Sequence, residues 1–154
     1  MYKKSKFYYT AKLLIDIMLY GGAVCVLCVP LIVKHFTNLY DLRETQSTFS
    51  TVLLTLTLYI SGILALYILY NLKSMYCSLL DGNPFVDKNV SHFRKMAVAC
   101  AIISFVYVIK CCFLFTLATA IIAIVFAMGS VFCLTLKDLF KQAINYKNEN
   151  DLTI

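Results

Sequence analysis

The chain has 154 residues, 61% of them hydrophobic and only 14% charged, against roughly 45–50% and 25% in soluble domains. One small domain cannot hide that much apolar surface in its own core. The mean hydropathy of +0.79 therefore makes lipid the solvent, and it excludes a disordered, collagenous or ordinary soluble chain.

Crossing about 30 Å of hydrocarbon takes about 20 apolar residues at ~1.5 Å each. Residues 13–33 meet that length, interrupted only by Asp16 near the start. Asp16 lies four residues after Lys12, so a local i, i+4 pair or an interfacial position accounts for it. Gly21, Gly22 and Pro30 make this span the most deformable of the set. Cys25-x-x-Cys28 has the spacing of a metal or redox pair, but inside an apolar helix the two read as small packing residues with no second pair to complete a site. A cleaved signal peptide would be shorter and would end in a small-x-small site, which the run VCVLCVP does not supply. Residues 51–72 contain no charge and form the cleanest span.

Residues 73–95 then read as a helical hairpin outside the bilayer. Leu72, Met75, Tyr76 and Leu79 recur at i, i+3, i+4 and i+7, which continues the second span as an amphipathic helix. Asp81-Gly82 ends it: Gly82 suits the left-handed position after a helix, and Asn83-Pro84 keeps the turn extended. Phe85 anchors that turn. Asp87 or Asn89 caps the next helix, whose Val90, Phe93 and Ala97 line one face.

Residues 96–136 carry Lys110 as their sole charge and are too long for one crossing. They divide into spans of about 92–110 and 117–136, with the turn at 111–117 just after Lys110, whose ammonium can snorkel to the outer headgroups. The pairs Ser61 and Ala65, Ala97 and Ala101, and Ala123 and Ala127 stand at i, i+4 as contact seams, because helices in lipid associate through small residues. After the fourth span, Leu136, Leu139, Phe140, Ala143 and Ile144 continue an apolar stripe, and residues 145–150 break it. Leu152 and Ile154 return at period two, the spacing of an extended segment. Residues 151–154 are expected to fold back on 83–89, with Arg94 or Lys95 available to Asp151.

The architecture expected is all-α: one polytopic membrane domain of four transmembrane helices with a hairpin between helices 2 and 3. Eleven of the 14 Lys and Arg residues lie before the first span, between the second and third, or after the fourth; Lys34, Arg43 and Lys110 lie on the other side. By the positive-inside rule both termini are cytoplasmic, and so are the hairpin at 73–95 and the tail at 137–154. The net charge of +6 is thereby a topology signal facing anionic lipid, with no basic and aromatic face for direct nucleic-acid binding.

Catalytic patterns are missing: there is no Ser/His/Asp set, phosphate loop or paired carboxylate site. His35 and His92 fall on opposite sides of the membrane. No enzyme activity, cofactor or metal is expected, and the intramembrane charges Asp16 and Lys110 are read as interfacial.

The run LLDGNPFVDKNVSHFRKMA between spans two and three, the four spans, and the tail ending ENDLTI together resemble domain of unknown function 2975, a family of small four-span bacterial membrane proteins. The resemblance covers nearly the whole chain and rests on Gly82, Pro84, Phe85, Asn89 and Arg94 in the hairpin and on Asn150, Asp151, Leu152, Thr153 and Ile154 at the end. It implies a multi-pass protein of the bacterial inner membrane, with no catalytic residues to carry over. It also implies a partnership with a small helix-turn-helix regulator. The expected function is that of a regulatory or interaction protein, with the bilayer, a cytoplasmic protein and a second copy of itself as partners. A small oligomeric transporter or channel subunit, or an immunity-type protein against a membrane-active peptide, are the alternatives.

Overall fold

A computed structural model describes residues 6–39, 48–80 and 85–151. These form four helices: α1 (Lys6–Leu39), α2 (Thr48–Leu80), α3 (Asp87–Phe113) and α4 (Leu117–Asp151). All four are long and apolar enough to cross a membrane, the one environment in which a short chain must satisfy its backbone amides within each helix. α1 runs unbroken through Pro30. α1, α2 and α4 have 33–35 residues each, or about 50 Å, well beyond the ~30 Å of hydrocarbon. The surplus of α2 and α4 lies at the end of the bundle that carries the α2–α3 connection, called here the basic end.

Packing runs between successive helices: among the described residues α1 meets α2, α2 meets α3, and α3 meets α4. α3 is the central element. Its buried face passes through Phe93, Met96, Cys100, Ile103 and Tyr107, spaced alternately by three and four residues as in left-handed helix pairs. Ile103 is wholly buried and forms a cluster with Tyr107 and with Ala123 of α4, against which Leu64 and Ile68 of α2 and Ile122 and Phe126 of α4 pack.

The α3–α4 seam is stitched in both directions. The Ser104 hydroxyl donates to the Ala123 carbonyl at 2.8 Å, and the Ser130 hydroxyl donates to the Ala97 carbonyl at 2.9 Å. Ala97 and Ala123 are thus contact residues, but Ala101 and Ala127 face outward. A strict i+4 step drifts about 40° round the helix, so the second alanine of each pair leaves the seam.

The α1–α2 seam depends on two glycines. A methyl group added to Gly62 would lie 2.7 Å from Val26 Cγ2, and one added to Gly22 would lie 3.1 Å from Leu66 Cδ2. Away from this seam α1 is little covered: Leu13, Ile17, Tyr20, Val24 and Leu27 are each more than half exposed.

The start of α3 does not use the cap read from the sequence. α3 starts from an extended Val86 with no side-chain cap bond. Asp87 therefore stands in the first turn, where a carboxylate favours the positive helix end, and Asn89 is buried one turn in. The turn after α3 lies at Leu114 to Thr116, within the expected 111–117, and threonines build it. Thr119 Oγ1 donates to the Thr116 carbonyl at 2.7 Å and accepts from the Thr116 amide at 3.3 Å, the returning half of a capping box. The apolar stripe ends where expected, with residues 145–149 exposed, but the helix itself continues to Asp151. That segment contains no Gly or Pro, and loss of apolar periodicity alone does not stop a helix.

Gly62→Val should overpack the α1–α2 seam and lower stability by ~1–3 kcal/mol, read from thermal unfolding in detergent. Gly21→Ala, whose added methyl meets nothing within 4 Å, should leave the melting curve unchanged. Val26→Ala should restore a Gly62→Ala variant.

Candidate functional site

The basic end concentrates polar side chains on one short stretch of α2. Asn71, Lys73 and Ser74 follow an otherwise apolar span, and a helix turns 100° per residue. Asn71, Ser74 and Ser78 therefore share the face toward α3, and Lys73 points the other way, toward α1.

On the α3 side Asn71, His92 and Ser74 form a chain of hydrogen bonds. The Asn71 amide donates to the Tyr67 carbonyl at 2.7 Å, leaving its Oδ1 as an acceptor. His92 Nδ1 lies 2.8 Å from that oxygen, so Nδ1 carries the proton and donates. His92 Nε2 is then a lone pair, and it accepts from the Ser74 hydroxyl at 3.1 Å. This tautomer is the one the hydrogen-bond network assigns. Asn71 is 2% exposed and His92 7%, so each needs the other's polar atoms.

On the α1 side the Lys73 ammonium meets Asp16 Oδ1 at 2.7 Å and stands 5.9 Å from the centre of the Tyr20 ring. The partner of Asp16 is therefore on the next helix and not Lys12 on its own. Both side chains are about 30% exposed, as befits a pair at the membrane boundary.

The order Ser–His–Asn is that of a nucleophile, a base and an orienting amide. Ser74, however, lies inside α2, where the neighbouring backbone N–H groups belong to the helix ladder and cannot point at a developing oxyanion. The physical work of the chain is to clasp α2 to α3 by interhelical hydrogen bonds.

Beside it, α4 is held to the same end by aromatic packing. The Phe140 ring centre lies 4.9 Å from that of Phe93 and 5.6 Å from that of Phe85. A groove of about 160 Å³ opens beside it, lined by Leu72, Met75, Tyr76, Leu79, Asn89 and Phe140. The predicted stripe of α2 is one wall of this groove.

Of the residues singled out in the sequence, Phe85 is 44% exposed beside α4, Asn89 is buried, and Arg94 is exposed on α3. Asp151 is the last residue of α4. Gly82, Pro84, Leu152 and Ile154, and with them the expected fold-back of the tail, lie outside the described residues. At the opposite end Lys110 is 8% exposed and does not reach outward. Its ammonium is 5.9 Å from the Tyr107 ring centre, a cation–π distance, and the Tyr107 hydroxyl is 3.5 Å from Ser61 Oγ. Sequence reasoning missed the Asn71–His92–Ser74 clasp because His92 was weighed only against His35. The signal available was Asn71, the one amide in an apolar span, with serines three and seven residues later.

His92→Leu should strand the Asn71 carbonyl oxygen and cost roughly 1–3 kcal/mol in detergent unfolding. The double change Asn71→Leu with His92→Leu should recover part of that loss, because neither polar group is then left without a partner.

Comparison with the curated proteins and with the solved structures gives no match. The family model described as protein of unknown function (DUF2975) matches residues 7–154. With four membrane-length helices and a match over nearly its full length, the chain belongs to the DUF2975 family.

Proposed function

We propose that this chain is a multi-pass, non-enzymatic membrane protein that turns its basic end to the cytoplasm and binds a soluble protein there. The observation that carries the reading is the platform at that end. α4 continues 15 residues past Leu136, about 22 Å, and is locked to the α2–α3 connection through Phe140. The apolar groove beside Phe140 has Leu79 and Phe85 partly exposed at its rim, and Leu139 and Tyr146 stand exposed on α4. Outside a bilayer such a surface suits the apolar face of a partner helix. The Lys and Arg asymmetry supports the cytoplasmic orientation, and a helix-turn-helix regulator is the partner class that the family resemblance brings forward.

A reporter enzyme active only outside the cytoplasm should be silent when fused after residue 154 and active when inserted near Asp41; activity at the C-terminus overturns the orientation. A photocrosslinking residue at position 146 should capture a soluble protein that the same probe at Ile124 does not. Leu139→Glu with Tyr146→Glu should abolish that capture while leaving membrane insertion intact, and capture that survives both changes removes the platform from the proposal.

A further inference from the structure

A second groove, of about 330 Å³, runs along the α2–α3 seam beside the polar clasp. Its α3 wall is a single face, Ser91, Arg94, Lys95, Val98 and Ile102, spaced so that they stack one above another on a helix. Its α2 wall is Leu64 and Tyr67. Because α2 and α3 are antiparallel and Asn71 meets His92, Tyr67 stands below the level of the cations and Leu64 lower still. The groove is therefore graded: a hydroxyl and two cations at the mouth, a tyrosine in the middle, and aliphatic side chains at the bottom.

Three observations fix what fits it. From Ser91 to Ile102 the helix rises about 16 Å, of which about 10 Å lies below the cations, so the groove runs from the headgroup layer into a single leaflet, whose hydrocarbon is about 15 Å deep. Arg94 and Lys95 are exposed, and neither takes part in an ion pair among the described residues. The nearest acidic residue on their own helix is Asp87, two turns toward its start. The lower walls, Val98 and Ile102, are also partly exposed, at 53% and 44%, as a wall shared with an acyl chain would be.

We propose that this groove is a binding site for one anionic phospholipid, its phosphate held by Arg94 and Lys95 with Ser91 as a further donor, and one acyl chain lying along Leu64, Val98 and Ile102. Guanidinium and ammonium groups side by side match a phosphodiester, and the anionic leaflet supplies that group at the depth where the two cations sit. The site lies on the α2–α3 seam, so the lipid bridges the helices that the Asn71–His92 clasp joins from within.

Native mass spectrometry of the full-length chain in detergent, titrated with phosphatidylglycerol, phosphatidylcholine or glycerol 3-phosphate, tests this. Phosphatidylglycerol should be retained at least about tenfold more tightly than phosphatidylcholine, and glycerol 3-phosphate, which lacks the tails, should not be retained. Arg94→Gln with Lys95→Gln should remove the preference, whereas Lys141→Gln with Lys147→Gln, two basic residues outside the groove, should keep it. Ile102→Phe leaves every charge in place and should weaken phosphatidylglycerol retention by crowding the lower groove. Equal loss in the two charge variants would reduce the effect to general surface charge and overturn the site. Retention of glycerol 3-phosphate as strong as that of the lipid would make it a free-phosphate site and overturn the lipid assignment. An unchanged preference in the Arg94 and Lys95 variant would do the same.

Discussion

Hydrocarbon removes the usual reason for helices to associate, because a leucine gains little by leaving lipid for another leucine. What remains is close backbone approach and polar groups that find one another. α3 is placed by both. Its buried Ala97, Ala99 and Cys100 let its neighbours come near, and its Ser104, His92 and Tyr107 face carbonyl, amide or hydroxyl groups on α2 and α4. The Ser104 and Ser130 bonds run in opposite directions across one seam, which fixes the relative height of α3 and α4 as well as their rotation. The groove walls and the aromatic contact at Phe140 inherit their geometry from that register.

The polar junction at the end of α2 divides its labour by helix angle. Asn71 and Ser74 serve α3 while Lys73 serves α1, so three helices are tied at nearly one depth by three residues within four consecutive positions. The two ties differ in kind. The buried neutral clasp is directional and loses most when one member is removed. The half-exposed Asp16–Lys73 pair is tempered by water and headgroups, and it acts beside a seam whose closeness comes from Gly22 and Gly62.

Much of the fold is legible in the sequence because hydropathy reports membrane length directly: the four apolar stretches, the split within 96–136 and the continuation of helix 2 through Leu79 all follow from residue type and spacing. Rotational detail is less legible. Ala101 and Ala127 looked equivalent to Ala97 and Ala123, and only the 3.5-residue period of the real seam separates them. The partner of Asp16 was sought on its own helix, yet Lys73 is distant in sequence and brought near by packing alone. Residues 145–150 lose their apolar rhythm without ending the helix, because the buried Ile144 anchors the turn before them and no residue there forbids another. At the candidate site, Phe85 and Arg94 were visible as turn and surface residues. The clasp was not, since its members are ordinary residue types and gain meaning only through an interhelical register.

The serial arrangement of the helices bears on how the chain is made. Each helix among the described residues packs against the one synthesised just before or just after it. A helix released sideways into the bilayer therefore needs to wait for no distant segment, and each newcomer docks onto its immediate predecessor. Such nearest-neighbour order keeps the entropy of loop closure small. The thinly covered α1 begins as a lone apolar rod and gains its glycine seam and its ion pair when α2 emerges. Assembly can then proceed at the pace of translation, with the last helix bringing Phe140 to the end that α2 and α3 have already formed.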